Sequence, residues 1–142
     1  MEILVAVTFA TFLAVTAWTD LKTLMIYDKV LIPMATVGIF FDACNLLVPL
    51  DEGIIFGGGG FLLMFAILKL SRGGLGGGDV KFSAVLGIWL GAKIFSAIFV
   101  ASILAAAVGI IFFLRGNRKI KMPFAPFLAV GALVAYFFEI TI

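Results

Sequence analysis

The sequence predicts an all-α integral membrane protein, a bundle of about six transmembrane helices. Of its 142 residues, 64% are hydrophobic and 13% are charged. With the 16 glycines added, the apolar share is about three quarters, whereas a soluble domain has about half. The apolar residues form long runs, and no polar segment between them is long enough for a soluble domain or a linker. We therefore expect residues 1–142 to form a single membrane-embedded domain.

Each apolar run is assigned to one span, because a helix crosses the hydrocarbon core with about 20 apolar residues. The fourth run is short and would have to extend or to thin the bilayer locally. The first has Glu2 where a signal peptide has a basic residue, so we expect a span and not a cleaved signal peptide. In chain order the predicted spans are residues 3–18, 30–50, 54–70, 80–90, 92–114 and 123–142.

The basic residues predict the orientation of these spans, because lysine and arginine concentrate in cytoplasmic loops. With six spans, one side of the membrane receives Lys22, Lys29, Lys69, Arg72, Lys81, Arg115, Arg118, Lys119 and Lys121. The other side receives Lys93 together with the acids Glu2, Asp51, Glu52 and Glu139. Both termini are therefore expected outside, and the first, third and fifth loops in the cytoplasm.

Composition also excludes several kinds of site. There is one cysteine, Cys44, and there is no histidine. These counts exclude a disulfide framework, a Cys/His zinc site, a Ser-His-Asp triad and a Cys-His nucleophile. A net charge of +2 with scattered basic residues argues against nucleic-acid binding. We expect no metal and no cofactor, so any chemistry must use carboxylates, Lys, Tyr, Ser or Thr.

Four aspartates near the spans are candidates for function: Asp20, Asp28, Asp42 and Asp79. An acid at the centre of a membrane helix costs about 2.5–3.5 kcal/mol, so its presence near a span calls for a reason. Asp20 ends the first span and Asp79 begins the fourth, which places both at the cytoplasmic side. Two neighbouring carboxylates share one proton, so that one polarises a carbonyl and the other activates water. This is the chemistry of aspartic proteases.

A glycine run directly precedes Asp79. Backbone without Cβ can adopt positive φ and can let a substrate strand approach closely, so an extended peptide could pair there. A phosphate-binding loop is the obvious rival, but the pattern GxxxxGK[ST] is absent, because Asp79-Val80-Lys81 follows the glycines with no Ser or Thr after the lysine.

Three segments resemble the type IV prepilin peptidases, the prepilin leader peptidases of the GxGD class of membrane aspartic proteases. Residues 76–81, Gly-Gly-Gly-Asp-Val-Lys, resemble the family's G-x-G-D-x-K motif. Asp20, followed six residues later by Ile26, resembles the first motif, an Asp ahead of Ile-Pro-Asn. Residues 122–131, with Pro123 and Pro126, resemble the proline-rich opening of the last span.

The resemblance implies that Asp20 and Asp79 are the catalytic pair, and that Gly76, Gly78 and Lys81 lie close to the substrate. It implies a prepilin or pilin-like substrate, cut at the cytoplasmic face of the cytoplasmic membrane between a short basic leader and the hydrophobic helix that follows. No cofactor is expected, and the partners are that substrate and membrane lipid. The oligomeric state is left open.

The chain departs from the family pattern in two places. Ile26-Tyr27-Asp28 stands where the first motif has Ile-Pro-Asn. Larger members carry a cytoplasmic domain with paired cysteines that is linked to N-methylation of the product, whereas this chain has Cys44 alone, inside the predicted second span. We therefore expect a short, peptidase-only form, without methyltransferase activity.

Simpler interpretations compete at each site residue. Asp20 could pair with Lys22 or cap the next segment, and Asp79 could be the N-cap of the fourth helix. A helix N-terminus favours the ionised form, which makes Asp79 the base and Asp20 the acid. Lys81 could steady a carboxylate or an oxyanion, or it could simply snorkel to the membrane surface. Asp28 is expected in a loop, as a solvated or substrate-contacting acid.

A second function class is a non-enzymatic carrier, or an assembly subunit of a pilus or secretion apparatus. A carrier places ionisable groups near the midplane at broken helices. Asp42, with Asn45 one turn away, and the glycines of the third span are the features that fit it. The same glycines, residues 57–60, also suit close helix packing. Most polar residues cluster at one face instead, which favours the peptidase.

Overall fold

The computed structural model describes residues 2–23, 26–70, 77–116 and 124–138, and it is all-α as predicted. A single 3-10 turn, Gly91–Lys93, joins the fourth and fifth helices. The helices are α1 (Glu2–Thr23), α2 (Asp28–Ala43), α3 (Leu50–Leu70), α4 (Gly77–Leu90), α5 (Ile94–Leu114) and α6 (Ala125–Phe138).

Within the described ranges, three helical stretches are long and apolar enough to cross a membrane: Glu2–Thr23, Leu50–Leu70 and Gly77–Leu114, the last including α4, the 3-10 turn and α5. The chain is therefore a membrane protein, and the count of six spans stays a prediction. α2 is shorter than the predicted second span, because the chain turns after Ala43 and Asn45 adopts a positive φ of 56°. Cys44 consequently lies exposed in this turn and not inside a span, so that expectation was wrong.

The core of the bundle is built around Trp89 of α4. Its indole Nε1 donates a hydrogen bond to the carbonyl oxygen of Met34 in α2 at 3.0 Å. Phe9 of α1 stacks on the indole with ring centroids 5.0 Å apart, and Phe41 meets it edge-on at 5.7 Å. Gly38 leaves room for the indole, because a Cβ there would lie 2.6 Å from Nε1. One side chain thus holds three helices together.

Helices α3 and α4 approach each other through glycine. A Cβ on Gly60 would lie 3.0 Å from the carbonyl oxygen of Ser83, and one on Gly57 would lie 3.1 Å from an α4 carbonyl. Across the same contact, a Cβ on Gly87 would overlap the carbonyl oxygen of Phe56. The Ser83 hydroxyl donates to the Gly60 carbonyl at 3.2 Å. The interpretation of Gly57 and Gly60 as packing residues is confirmed.

Replacing Gly87 by alanine is expected to lower the stability of the protein by about 1–3 kcal/mol, because the new methyl group overlaps backbone and neither helix can yield without moving. The measurement is thermal unfolding in detergent. Gly58→Ala is the matched control, since Gly58 is exposed in α3 and a Cβ there meets nothing within 4 Å. Equal melting temperatures for Gly87→Ala and Gly58→Ala would contradict this account of the packing.

Candidate functional site

The directions of the helices follow from two contacts. Lys81 near the start of α4 pairs with Asp28 at the start of α2, and farther along both helices Trp89 bonds to Met34. α2 and α4 therefore run parallel. α1 is joined to α2 by the short connection 24–27, so it runs antiparallel to both. The end of α1 and the start of α4 consequently lie at the same end of the bundle.

This arrangement places Asp20 and Asp79 at nearly the same level. The reference point is the stacked pair Phe9 and Trp89. Asp20 follows Phe9 by eleven residues of α1, and Asp79 precedes Trp89 by ten residues of α4. At 1.5 Å per residue these separations are about 16 and about 15 Å along antiparallel helices. Both aspartates are buried, with Asp20 5% and Asp79 7% exposed.

Asp20 lies in the last turn of α1 and caps the start of α6. Its Oδ2 accepts a hydrogen bond from the backbone N–H of Ala125 at 3.0 Å. Ala125 is the first residue of α6 and belongs to the proline-rich segment identified in the sequence. Asp20 is thus a cap, but of the last helix, so the interpretation that it caps the next segment was wrong. The other interpretation paired Asp20 with Lys22, but the Nζ of Lys22 lies over the Trp18 ring, 4.6 Å from its centroid.

The cap on α6 is the main site contact that sequence reasoning missed. A helix start leaves backbone N–H groups without partners in the helix. Pro126 has no N–H and is typical of a first turn, so the start of α6 could be located from the sequence. The acceptor for the Ala125 N–H could not, because nothing in the spacing connects Asp20 with a residue 105 positions away.

Asp79 lies in the first turn of α4, and Gly78 before it is packed against the segment that follows Asp20. A Cβ on Gly78 would lie 3.0 Å from the Cβ of Ile26, whereas one on Gly77 would meet nothing within 4 Å. Both glycines are helical, and neither has a positive φ. The positive φ that glycine permits is therefore not used at these two residues, and Gly78 is needed for the close approach of this chain's own Ile26. Gly76 lies outside the described residues.

Asp79 is also not the N-cap of α4, as the simpler interpretation had it. The helix begins at Gly77, two residues earlier. The aspartate is instead the third residue of the helix, in its first turn. An acid at this position interacts favourably with the positive end of the helix dipole.

Lys81 contacts a carboxylate, that of Asp28. Its Nζ lies 3.4 Å from both carboxylate oxygens, and the two side chains are 59% and 58% exposed. Asp28 was expected in a loop, but it is the first residue of α2, since α2 begins directly after Tyr27. An exposed pair of this kind contributes about 0–1 kcal/mol. It nevertheless ties the start of α2 to the turn that carries Asp79.

Asp42 is part of the loop packing at the opposite end of the bundle. It lies in the last turn of α2 and is 1% exposed. Its Oδ1 accepts the N–H of Val48 at 3.4 Å, while Asn45, considered as its partner, donates its own backbone N–H to the Asp42 carbonyl at 3.0 Å. Its Oδ2 lies against Gly53, where a Cβ would overlap it. These contacts hold the turn between α2 and α3.

The residues that the structure describes contain no group of three or more His, Cys, Asp or Glu side chains that could hold a metal ion. At the Asp20 and Asp79 end lie two buried carboxylates, each near the N-terminus of a helix, with an ion pair at the rim.

Comparison with known proteins places the chain in a family. The family model described as the type IV leader peptidase family matches residues 7–114. A prepilin leader peptidase/N-methyltransferase of Bacillus subtilis (strain 168) is 35% identical over 97% of this chain and 57% of its own length. Proteins of that name from Burkholderia pseudomallei (strain K96243) and Aeromonas salmonicida (strain A449) are 34% and 32% identical, over 84% and 94% of this chain and 41% and 45% of their own lengths.

The chain spans about half the length of these curated relatives. No solved structure matches it. The family match covers well over half of the chain and includes Asp20, Asp79 and the residues around both. The resemblance to this family is thus confirmed, and the chain belongs to the type IV leader peptidase family.

Proposed function

We propose that this protein is a membrane aspartic endopeptidase that cleaves the short basic leader from type IV prepilin or pilin-like precursors. The observation that carries the proposal is the placement of Asp20 and Asp79, two buried carboxylates at one level and at one end of the bundle. Membership of the leader peptidase family supports a protease. The printed names of its relatives support prepilins as the substrates.

The proposed chemistry uses one proton shared between the two carboxyl groups. The protonated carboxyl donates to the oxygen of the scissile carbonyl, while the ionised one takes a proton from the attacking water. The resulting diol collapses when a proton passes to the amide nitrogen, which leaves as the amine. At the end of the cycle the pair again holds one proton and one negative charge.

Two helix N-termini stabilise that shared negative charge. Asp79 lies in the first turn of α4, and Asp20 accepts the first N–H of α6. The positive ends of both helix dipoles therefore favour an anion between them. The sequence assigned the base to Asp79 because of its helix N-terminus. Because Asp20 has a helix N-terminus of its own, the helix dipoles favour neither aspartate as the base, and substrate contacts must decide.

We further propose that this end of the bundle faces the cytoplasm and that both termini of the chain lie outside the cytoplasmic membrane. Among the described lysines, Lys22, Lys29 and Lys81 lie at the end that carries the two aspartates. Lys93 lies at the other end, beyond α4. This distribution follows the positive-inside rule. A cytoplasmic site would meet a basic leader before the following hydrophobic helix enters the membrane.

The carrier or assembly-subunit alternative is weakened by what its supporting residues do. Asp42 holds a turn at one end of the bundle, and Gly57 and Gly60 pack α3 on α4. None of them lines a broken helix at the midplane. Residues 1–142 are proposed as one peptidase domain, and the N-methyltransferase activity in the relatives' names is not part of the proposal.

Replacing either aspartate by asparagine is expected to lower cleavage by about 100- to 10,000-fold, because asparagine neither carries nor accepts the shared proton. In Asp20→Asn the side-chain oxygen can still accept the Ala125 N–H, so the fold is retained. The assay is cleavage of a precursor with a basic leader and a hydrophobic helix by purified protein in liposomes.

Asp51→Asn is the matched control, because Asp51 is an exposed acid in the first turn of α3. It should cleave at the wild-type rate. Wild-type turnover in either Asp20→Asn or Asp79→Asn would contradict the proposal that the two aspartates are the catalytic pair. Absence of cleavage by folded wild-type protein, with several such precursors, would favour the assembly-subunit alternative.

Gly78→Ala is expected to lower turnover by about 10- to 100-fold, since its methyl group meets Ile26 and displaces the turn that carries Asp79. Gly77→Ala, one residue earlier and facing open space, should keep the wild-type rate. The double variant Ile26→Gly, Gly78→Ala removes the atom that the new methyl meets. It should cleave faster than Gly78→Ala alone; a double variant no faster than the single one would argue against this contact.

Asp42→Asn should leave turnover unchanged, because an asparagine oxygen can still accept the Val48 N–H far from the proposed catalytic pair. Asp42→Ala should lower the free energy of unfolding by about 1–3 kcal/mol, since it leaves the Val48 N–H without its hydrogen-bond acceptor. Cleavage rates and thermal unfolding are measured on the same preparations. A selective loss of turnover in Asp42→Asn, at unchanged stability, would require a third acid in the mechanism.

A further inference from the structure

A cavity of about 430 Å³ opens at the end of the bundle opposite Asp20 and Asp79. Its polar and charged lining side chains are Glu2 at the start of α1, Lys93 after α4, and Tyr136 near the end of α6. Its apolar walls come from the α2–α3 connection and from the end of α4. A water occupies about 30 Å³ of liquid, so this cavity has room for a much larger polar group.

The two charges of the cavity have opposite signs and do not pair with each other. Within the described part of the chain the one ion pair is that of Asp28 and Lys81. Glu2 and Lys93 thus line a single cavity as separate acidic and basic positions. A ligand that matches both must itself carry a positive and a negative group.

α4 and the 3-10 turn after it are short for a membrane span. Asp79 and Lys93 are fourteen residues apart, including the 3-10 turn, which corresponds to about 21 to 23 Å along the helix. The hydrocarbon core of a bilayer is about 30 Å thick. Asp79 and Lys93 therefore cannot both reach the two membrane surfaces. A lysine below the surface requires a polar partner or water drawn inward.

We propose that this cavity binds the headgroup of a phosphatidylethanolamine from the leaflet opposite the aspartates. The lipid phosphate would lie on the Lys93 ammonium, and the lipid ammonium would donate hydrogen bonds to the Glu2 carboxylate. The acyl chains would follow the exposed apolar side chains beside the opening, Ile3 and Phe137, which are 81% and 60% exposed. The inference rests on membrane embedding and on this cavity, and it is independent of the proposed peptidase.

The chemistry predicts an order among lipids. Phosphatidylglycerol offers a phosphate to Lys93 but no cation to Glu2. Phosphatidylcholine has both charges, but its trimethylammonium has no N–H to donate to a carboxylate. Phosphatidylethanolamine alone of these three satisfies both positions. Because every phospholipid carries the phosphate, Glu2 is the residue that decides among headgroups.

The test is native mass spectrometry of the purified, delipidated protein titrated with each of the three lipids. We expect phosphatidylethanolamine to bind at least tenfold more tightly than phosphatidylglycerol, and Lys93→Met to weaken it at least tenfold. Glu2→Gln should remove the preference over phosphatidylglycerol. Lys69→Met and Asp51→Asn are matched controls outside the cavity and should bind as wild type does.

A second measurement guards against misfolded variants. Phosphatidylethanolamine should raise the melting temperature of the wild type and of both controls, because a ligand of the native state stabilises it, but not that of Lys93→Met. Equal binding of the three lipids, or binding unchanged in both cavity variants, would overturn the proposal. Free O-phosphoethanolamine that binds as tightly as the lipid would identify a soluble zwitterion and would also overturn it.

Discussion

The hydrogen bond between the Ala125 N–H and the Asp20 carboxylate is the contact on which the proposed site depends. It joins the end of the first helix to the start of the last, across 105 residues of chain. In a membrane an uncapped helix start would leave N–H groups without water to satisfy them. The same bond fixes the carboxylate that the site uses. The cap and the proposed catalytic role of Asp20 are separable, since an asparagine could still accept this bond but could not share the proton.

Asp79, the other aspartate of the proposed site, is positioned by the close packing of α4 against its neighbouring helices. Glycines let α3 lie against α4, and Trp89 holds α4 against α1 and α2. Small residues are what membrane helices use when no hydrophobic effect drives them together. Gly78 extends the same principle to the site itself, where Ile26 occupies the space that a Cβ would need. Glycine therefore serves both the packing of the helices and the positioning of the turn that carries Asp79.

The two ends of the bundle carry different chemistry. At one end two buried carboxylates lie beside two helix N-termini, with a basic rim. At the other end, Lys93 and Glu2 line a cavity. α4 runs between the two ends, and its fourteen residues correspond to about 21 Å, whereas the hydrocarbon core of a bilayer is about 30 Å thick.

By itself, the sequence determined that the chain is a helical membrane protein, and that Asp20 and Asp79 end and begin apolar runs on the same side. Both conclusions depend on the lengths of the apolar runs and on the positions of the charged residues, which are read directly along the sequence. Only the tertiary structure decided that Asp20 caps α6, that Lys81 pairs with Asp28, and that Asp42 holds a turn through Val48. These helices are apolar on every side. The sequence therefore contains no polar stripe from which the face that packs against a given neighbour could be predicted. Lateral contacts are therefore set by the fit of small residues and by the need of each buried polar group for a partner.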